Sequence, residues 1–246
     1  MIRYGGLAAI YDHLVAGVDF QGWADYVEKL IGHYGYSARS VLDLACGTGN
    51  TLFPFAARGY RAFGVDISPE MIMVAGEKAR ERSLKIDFFV EDMREFVLGR
   101  QVDLVTCFHD GLNYITEPEQ LGEVFARTYT NLAAGGMFVF DMNAVDWIGE
   151  VDGSPVVIED GDLTITYSTA HDREASLWTV EVTCVVRGEK GPSQFKETHC
   201  ERGYSVDQVR DLLAGAGLIP LAEYDAFSFS PPHPGSRRHF YIARRP

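Results

Sequence analysis

Val41-Leu42-Asp43-Leu44-Ala45-Cys46-Gly47-Thr48-Gly49-Asn50 decides the fold: an apolar strand stops on an acidic residue and runs into a glycine-paired turn that opens a helix. Glycines in such a turn let the backbone take positive φ and let a ligand approach without a Cβ in the way. A dinucleotide fingerprint demands a third glycine three places after Gly49, where this chain has Leu52, so a pyrophosphate-binding helix is less well supported. Asp66 ends the next apolar run, Ala62-Phe63-Gly64-Val65, 17 positions after Gly49. That is close to the roughly 20 at which a ribose-binding acid is expected. Its two oxygens can accept from both ribose hydroxyls. Taken singly, Gly47 and Gly49 need only make a tight turn, and Asp66 need only cap the helix starting near Pro69; jointly they point to a nucleoside ligand.

The acid inside the motif narrows the ligand. A carboxylate at Asp43 suits the cationic amino and sulfonium groups of S-adenosylmethionine better than it suits phosphates. The runs Asp43-x-Ala45-x-Gly47-x-Gly49, Gly64-Val65-Asp66-Ile67-Ser68 and Glu91-Asp92-Met93 resemble motifs of class I S-adenosylmethionine-dependent methyltransferases, over almost the whole chain. Within that superfamily the chain is similar to the small-molecule branch typified by amino-sugar N,N-dimethyltransferases and glycine N-methyltransferase. The resemblance implies S-adenosyl-L-methionine as cofactor. It carries Asp43, Gly47 and Gly49, with Ala45 between them, to the methionine part, Asp66 with Ile67 to the ribose and adenine, and Asp92 with Met93 to the adenine. Met93 also reads as ordinary core packing. Cys107 and Phe108 are implied beside the methionine portion, and Tyr11 is implied in closing the site over it, with Tyr4 a second candidate; both tyrosines also read as helix-face packing.

Around this motif the pattern alternates. Strands are expected near 40–44, 61–65, 85–90, 102–107 and 136–141, with helices near 49–58, 69–82 and 118–132. That order predicts an α/β, doubly wound, mostly parallel sheet, which the resemblance makes seven-stranded and Rossmann-like with an antiparallel last strand. Trp23, Tyr26, Val27, Leu30, Ile31 and Tyr34 fall at three- and four-residue steps and predict an amphipathic helix over 20–34, after a shorter one around Ala8 to Val15. From Val156 to about Tyr204 the period becomes two, which predicts antiparallel strands punctuated at Asp160-Gly161, Asp172-Arg173-Glu174 and Gly188-Glu189-Lys190-Gly191. Residues 1–143 and 205–246 are thus expected to form the cofactor-binding domain, and 144–204 an inserted antiparallel lid over the acceptor, or else a flap for stability or for a homodimer. Ser205 is expected to cap a helix to Leu213, followed by strands at Leu218–Phe227 and Arg237–Ala243.

Methyl transfer from a sulfonium is an in-line displacement, so the protein's main task is alignment. An amine acceptor must be neutral to attack, which calls for a carboxylate, His or Tyr beside it. Phe108-His109-Asp110-Gly111-Leu112-Asn113-Tyr114 leaves the fourth strand, and His109, Asp110 and Tyr114 are the candidate catalytic groups. Tyr114 lies where the sugar N-methyltransferases carry a His. Asn113, Asp141 at the end of the fifth strand, and His199, Arg202 and Tyr204 on the last lid strand are candidate acceptor contacts or, equally, lid fasteners.

Composition restricts the partners. With 35 acidic and 22 basic residues and a formal charge of −13, the average field repels nucleic acid and anionic membranes. A small-molecule acceptor is favoured, with N-methylation ahead of O-methylation; a noncatalytic adenosine-ligand sensor and a nicotinamide oxidoreductase are the alternatives. Arg237-Arg238 with Arg244-Arg245, the only basic cluster, reads as the exposed edge of a terminal strand. The four cysteines show neither metal-ligand nor disulfide spacing, and no run approaches a membrane span, so a soluble cytoplasmic protein without a metal is expected.

Overall fold

The computed structural model describes residue 8 and residues 10–145, 155–188 and 191–246; Tyr4 lies outside them. Seven strands form the main sheet: β1 (Ser40–Leu44), β2 (Arg61–Asp66), β3 (Ile86–Val90), β4 (Val102–Cys107), β5 (Leu132–Asn143), β10 (Ile219–Asp225) and β11 (Arg238–Arg244). Their order is β10-β11-β5-β4-β1-β2-β3. β1 to β5 run parallel, and β11 is antiparallel to both β5 and β10. A second, antiparallel sheet follows β5 in sequence: β6 (Val156–Asp160), β7 (Leu163–Asp172), β8 (Leu177–Gly188) and β9 (Gly191–Arg202). Both the doubly wound class and the antiparallel insertion match the sequence reading.

The helices form where apolar spacing and caps coincide. In α2 (Phe20–His33), after the short α1 (Tyr11–Leu14), Trp23, Tyr26, Val27, Leu30 and Ile31 are buried, and Asp19 caps the N-terminus by accepting from Gly22 N at 2.9 Å. α3 (Leu52–Ala57) lies beyond the glycine turn. In α4 (Pro69–Glu81) Ser68 accepts from Met71 N at 3.2 Å, with Pro69 at the first turn. α5 (Pro118–Asn131) precedes β5, and α6 (Val206–Gly215) opens with a Ser205–Gln208 capping box. Apolar side chains pack on both faces of the main sheet. Val105, Phe125, Phe138 and Tyr241 belong to one cluster, and Val27, Leu30, Leu104 and Phe240 to the other.

Two boundaries differ from the expected ones for local reasons. The helix expected over 49–58 starts only at Leu52, because Gly49 sits at φ +81 and its bare Cα is packed against Phe53, Ala75 and Phe88. β5 begins at Leu132 rather than 136, since Leu132 leaves α5 in an extended conformation and pairs with Val102. Residues Gly111–Tyr114 form a single 3-10 turn.

One buried acid joins three of these elements. Asp43, on β1, is 1% exposed. It accepts from Thr106 Oγ1 of β4 at 2.6 Å and from Thr51 Oγ1, at the start of α3. Burial, opposed by these two donors, pushes its carboxyl up to about 6 from 3.8. A raised folded-state value means that the ionised acid weakens the fold, fully so above pH 6 and not at all below about pH 4. Asp43→Asn removes that penalty. Its stability relative to the parent chain should therefore improve by ~3 kcal/mol between pH 4 and pH 7, since each pH unit separating the folded and unfolded pKa values is worth about 1.4 kcal/mol. Urea unfolding at the two pH values measures this, and a pH-independent difference would refute it.

Candidate active site

Ala45, Gly47 and Gly49 all adopt left-handed backbone, at φ +51, +52 and +81. For Ala45 that conformation costs on the order of 1–3 kcal/mol, so the surrounding structure must hold it. Asp66 does much of the holding. Its Oδ2 accepts from Gly47 N at 2.8 Å and its Oδ1 from Ser68 N at 2.9 Å, which ties the turn after β1 to the end of β2. Burial raises its pKa while these backbone donors oppose the rise. Ile67 adds a third backbone donor, and since a carboxylate offers about four acceptor positions, some capacity remains for a ligand. A Cβ on Gly47 would meet no protein atom within 4 Å, whereas one on Gly64 of β2 would lie 2.8 Å from Cys46 Sγ and from Leu52. Gly64 thus lets the loop settle directly on β2.

Above this turn lies a cavity of about 540 Å³, within the range of small-ligand sites. Tyr11, Ala45, Gly47, Asp66, Ile67, Asp92, Met93 and Phe108 line it, as do His109 and Tyr114. Ile67 is 55% exposed and presents an apolar surface to the opening. Asp92 is gripped by Arg94, whose Nε lies 2.9 Å from Oδ1, and Arg94 Nη1 reaches Gln120 Oε1 at 2.7 Å. Asp43, Gly49 and Cys107 are not on the lining. Asp43 spends its oxygens on two threonines, Gly49 faces aromatic packing, and the Cys107 sulfur lies beneath Gly111, 2.9 Å from where a Cβ would be.

The N-terminal segment closes one side. Asp12 accepts from Thr48 Oγ1 at 2.6 Å and Asn50 Nδ2 at 2.8 Å and pairs with Lys78 of α4. Its neighbour Tyr11 faces the cavity, with burial, reinforced by Asp110, Asp66 and Asp12, raising its pKa and keeping the phenol protonated. On the other side of α1, Ile10 and Leu14 pack against Ile165, Val182 and Cys184 of the second sheet, and His13 Nε2 lies 2.8 Å from Asp160. α1 therefore touches the glycine turn and the insertion together.

Beyond β4 the chain turns on two left-handed residues, His109 at φ +56 and Asp110 at φ +57. They do not form a base pair with one another. Asp110 is bound by Arg238 Nη2 at 2.8 Å, and the same guanidinium holds Asp141. His109 stacks on Trp23 with centroids 4.5 Å apart, and its buried Nε2 has no hydrogen-bond partner among the described residues. Burial lowers its pKa to about 4, outweighing the pull of Asp110. The imidazole is neutral at physiological pH.

The other acceptor candidates fasten the insertion. Asn113 Nδ2 donates to Arg202 O at 2.8 Å and its Oδ1 accepts from Asn143 N at 3.0 Å. Arg202 Nη1 donates to Thr116 O at 3.0 Å, and Tyr204 Oη to Ile115 O at 2.6 Å. His199 meets the Tyr114 ring edge-on at 5.9 Å, so it approaches the cavity through that tyrosine. None of Asp110, Asn113, Asp141, His199, Arg202 and Tyr204 is on the cavity lining itself. Sequence reasoning missed Asp12, Arg94 and Arg238. Asp12 stands next to Tyr11, but no local pattern announces a partner in α4. Arg238, expected on an exposed strand edge, instead bridges Asp110 of the turn after β4 and Asp141 of β5.

Comparisons with known proteins identify the family. Residues 41–136 match the family described as "Methyltransferase domain". A putative methyltransferase of Geobacillus sp. (strain WCH70) is 30% identical, the match covering 99% of this chain and 100% of the relative. The dTDP-3-amino-3,6-dideoxy-α-D-glucopyranose N,N-dimethyltransferase of Streptomyces fradiae is 27% identical over 87% of this chain and 84% of its own. A crystal structure of an S-adenosylmethionine-dependent methyltransferase from Clostridium acetobutylicum ATCC 824 superposes with a TM-score of 0.88 at 28% identity, covering 98% of both chains. Sequence motifs, strand order and these relatives coincide, and the chain belongs to the class I S-adenosylmethionine-dependent methyltransferases.

Proposed function

We propose that this methyltransferase acts on an amine nitrogen of a small molecule, with residues 1–143 and 205–246 holding the cofactor and 144–204 covering the acceptor. The observation that carries this reading is His109 on the cavity wall, a neutral imidazole whose buried Nε2 has no partner among the described residues and is left to accept an N–H. The relatives named as amino-sugar N,N-dimethyltransferases, such as the Streptomyces fradiae protein, support an amine. No helix of the described residues is long and apolar enough to cross a membrane, and the acidic chain disfavours a polyanionic acceptor.

The residues present fit S-adenosylmethionine: a left-handed turn with open space at Gly47, an acid with acceptor capacity to spare, and an apolar wall at Ile67 and Met93. When bound, it supplies a methyl group activated on a sulfonium. Asp66 holds the ribose hydroxyls while keeping the turn closed. Ile67, Met93 and the Asp92–Arg94 pair form the adenine end. Tyr11 closes the cavity from the N-terminal segment, its neighbour Asp12 tied to Thr48 and Asn50 of the glycine turn. His109 is too weak a base to strip an ammonium ion, since its own pKa is about 4. Its role is to orient the already neutral amine, with Tyr114 lining the same cavity; the proton released on N-methylation goes to solvent.

Incubation with S-adenosylmethionine and a panel of primary and secondary amines, alcohols and thiols should give S-adenosylhomocysteine with amines only; turnover confined to hydroxyl or thiol acceptors would overturn the amine reading. Asp66→Ala should weaken S-adenosylmethionine binding by roughly 10²-fold or more, because two charge-assisted bonds of about 1.5–3 kcal/mol each are lost. Unchanged affinity in calorimetry would refute the ribose role. His109→Ala and Tyr114→Phe should each lower turnover about tenfold or more with cofactor affinity nearly intact. Because His109 stays neutral above about pH 5, turnover should follow deprotonation of the acceptor amine alone, and a limb near pH ~6.5 abolished in His109→Ala would contradict the orienting role.

A further inference from the structure

A second cleft, of about 500 Å³ and more open than the first, lies against the cofactor cavity. Val18, Asp19, Gly22 and Trp23 at the start of α2 line it, with Phe227 and Arg238 from the β10–β11 region and His109 from the turn after β4. His109 is the one described residue that lines both spaces. An amine bound to this histidine has its N–H at the shared wall, and the second cleft is the side from which that N–H would come.

The walls restrict what fits. Phe227 is 48% exposed, held at φ +58, and stands edge-on to Trp23 with centroids 4.9 Å apart. Trp23 in turn stacks on His109, so an aromatic surface runs from the outside to the wall shared with the cofactor cavity. The charges are acidic on balance. Arg238 already neutralises Asp110 and Asp141 and has no charge left over, whereas Asp19 is exposed and, among the described residues, bonded only to the Gly22 N–H that it caps. A phosphate would meet an uncompensated carboxylate here; a protonated amine would meet that carboxylate and the exposed ring of Phe227, which favours a cation.

We propose that this cleft is the acceptor subsite, and that it takes an amine carried on an apolar or aromatic ring and free of phosphate. The ring lies along Phe227 beside the edge of Trp23, Asp19 draws in the ammonium form, and the amine loses its proton to solvent before its neutral end reaches His109 at the shared wall. This rests on the amine reading but not on the insertion as the acceptor's cover, since no described residue of 144–204 lines the cleft, and it departs from the nucleotide-linked sugars in the relatives' names.

The test is nitrogen-15 NMR of the Trp23 indole N–H, assigned by Trp23→Phe, in protein saturated with S-adenosylhomocysteine. Three compounds are titrated: 2-phenylethylamine, its neutral analogue 2-phenylethanol, and thymidine diphosphate. The amine should shift the signal saturably and thymidine diphosphate should not. Asp19→Asn, which keeps the helix cap, should weaken the amine about fivefold while leaving the alcohol unchanged. Phe227→Ala should weaken both, with S-adenosylhomocysteine affinity unaltered in either variant. A signal that the amine leaves unmoved, tighter binding of thymidine diphosphate, or amine affinity unchanged in both variants would overturn the subsite. Amine methylation with a silent Trp23 refutes the cleft alone, whereas a responsive Trp23 in a protein that methylates only hydroxyls refutes the amine reading alone.

Discussion

Everything about the cofactor end depends on two buried carboxylates that hold a turn in left-handed backbone. Asp66 accepts the Gly47 amide, and Asp43 accepts hydroxyls from the start of α3 and from β4. Beside them, backbone bonds from Cys46 N–H to Val65 O at 3.0 Å and from Gly49 N–H to Cys46 O at 2.9 Å help to keep Ala45, Gly47 and Gly49 in place beneath the cavity. Burial raises the pKa of both acids, and the charge of Asp66 adds to the rise at Asp43. The chain accepts that electrostatic cost because hydroxyl and amide donors offset part of it.

The same economy governs the acceptor side. Asn113 uses both ends of its amide on backbone groups from β5 and β9, so the last strand of the insertion is pinned beside the turn that presents His109 and Tyr114. The parallel bridge between Ala144 and Tyr204 brings the two ends of the insertion together. α1 completes the enclosure. Its Asp12 binds the glycine turn, and its Ile10, His13 and Leu14 meet the second sheet, so a movement of the insertion is felt at the cofactor cavity through these four residues.

Much of this was legible in the sequence, because the signals were local. The run from Val41 to Asn50 and Asp66 announced the strand, turn and acid; the change of period after Val156 announced the antiparallel sheet; Ser205 announced its helix, whereas the helix at Pro69 is capped by Ser68 and not by Asp66. What escaped depends on residues far apart in the chain. Asp12 with Lys78, and Arg238 with Asp110 and Asp141, are charge pairs whose members carry no periodicity and no spacing rule. Asp43 was readable as an acid near the ligand, and only the fold shows its oxygens turned toward Thr51 and Thr106. His109 and Asp110 stand side by side in sequence, yet consecutive left-handed residues send one to Trp23 and the other to Arg238.

If the turn held by Asp66 seats the cofactor and His109 is the wall shared with the acceptor, a crystal structure of the protein with S-adenosylhomocysteine is the most direct test. It should show both ribose hydroxyls on Asp66, with the Gly47 amide bond kept, and the sulfur at the end of the cavity nearest His109. A ribose bound away from Asp66, or a sulfur turned toward Asp92 and Arg94, would contradict this arrangement.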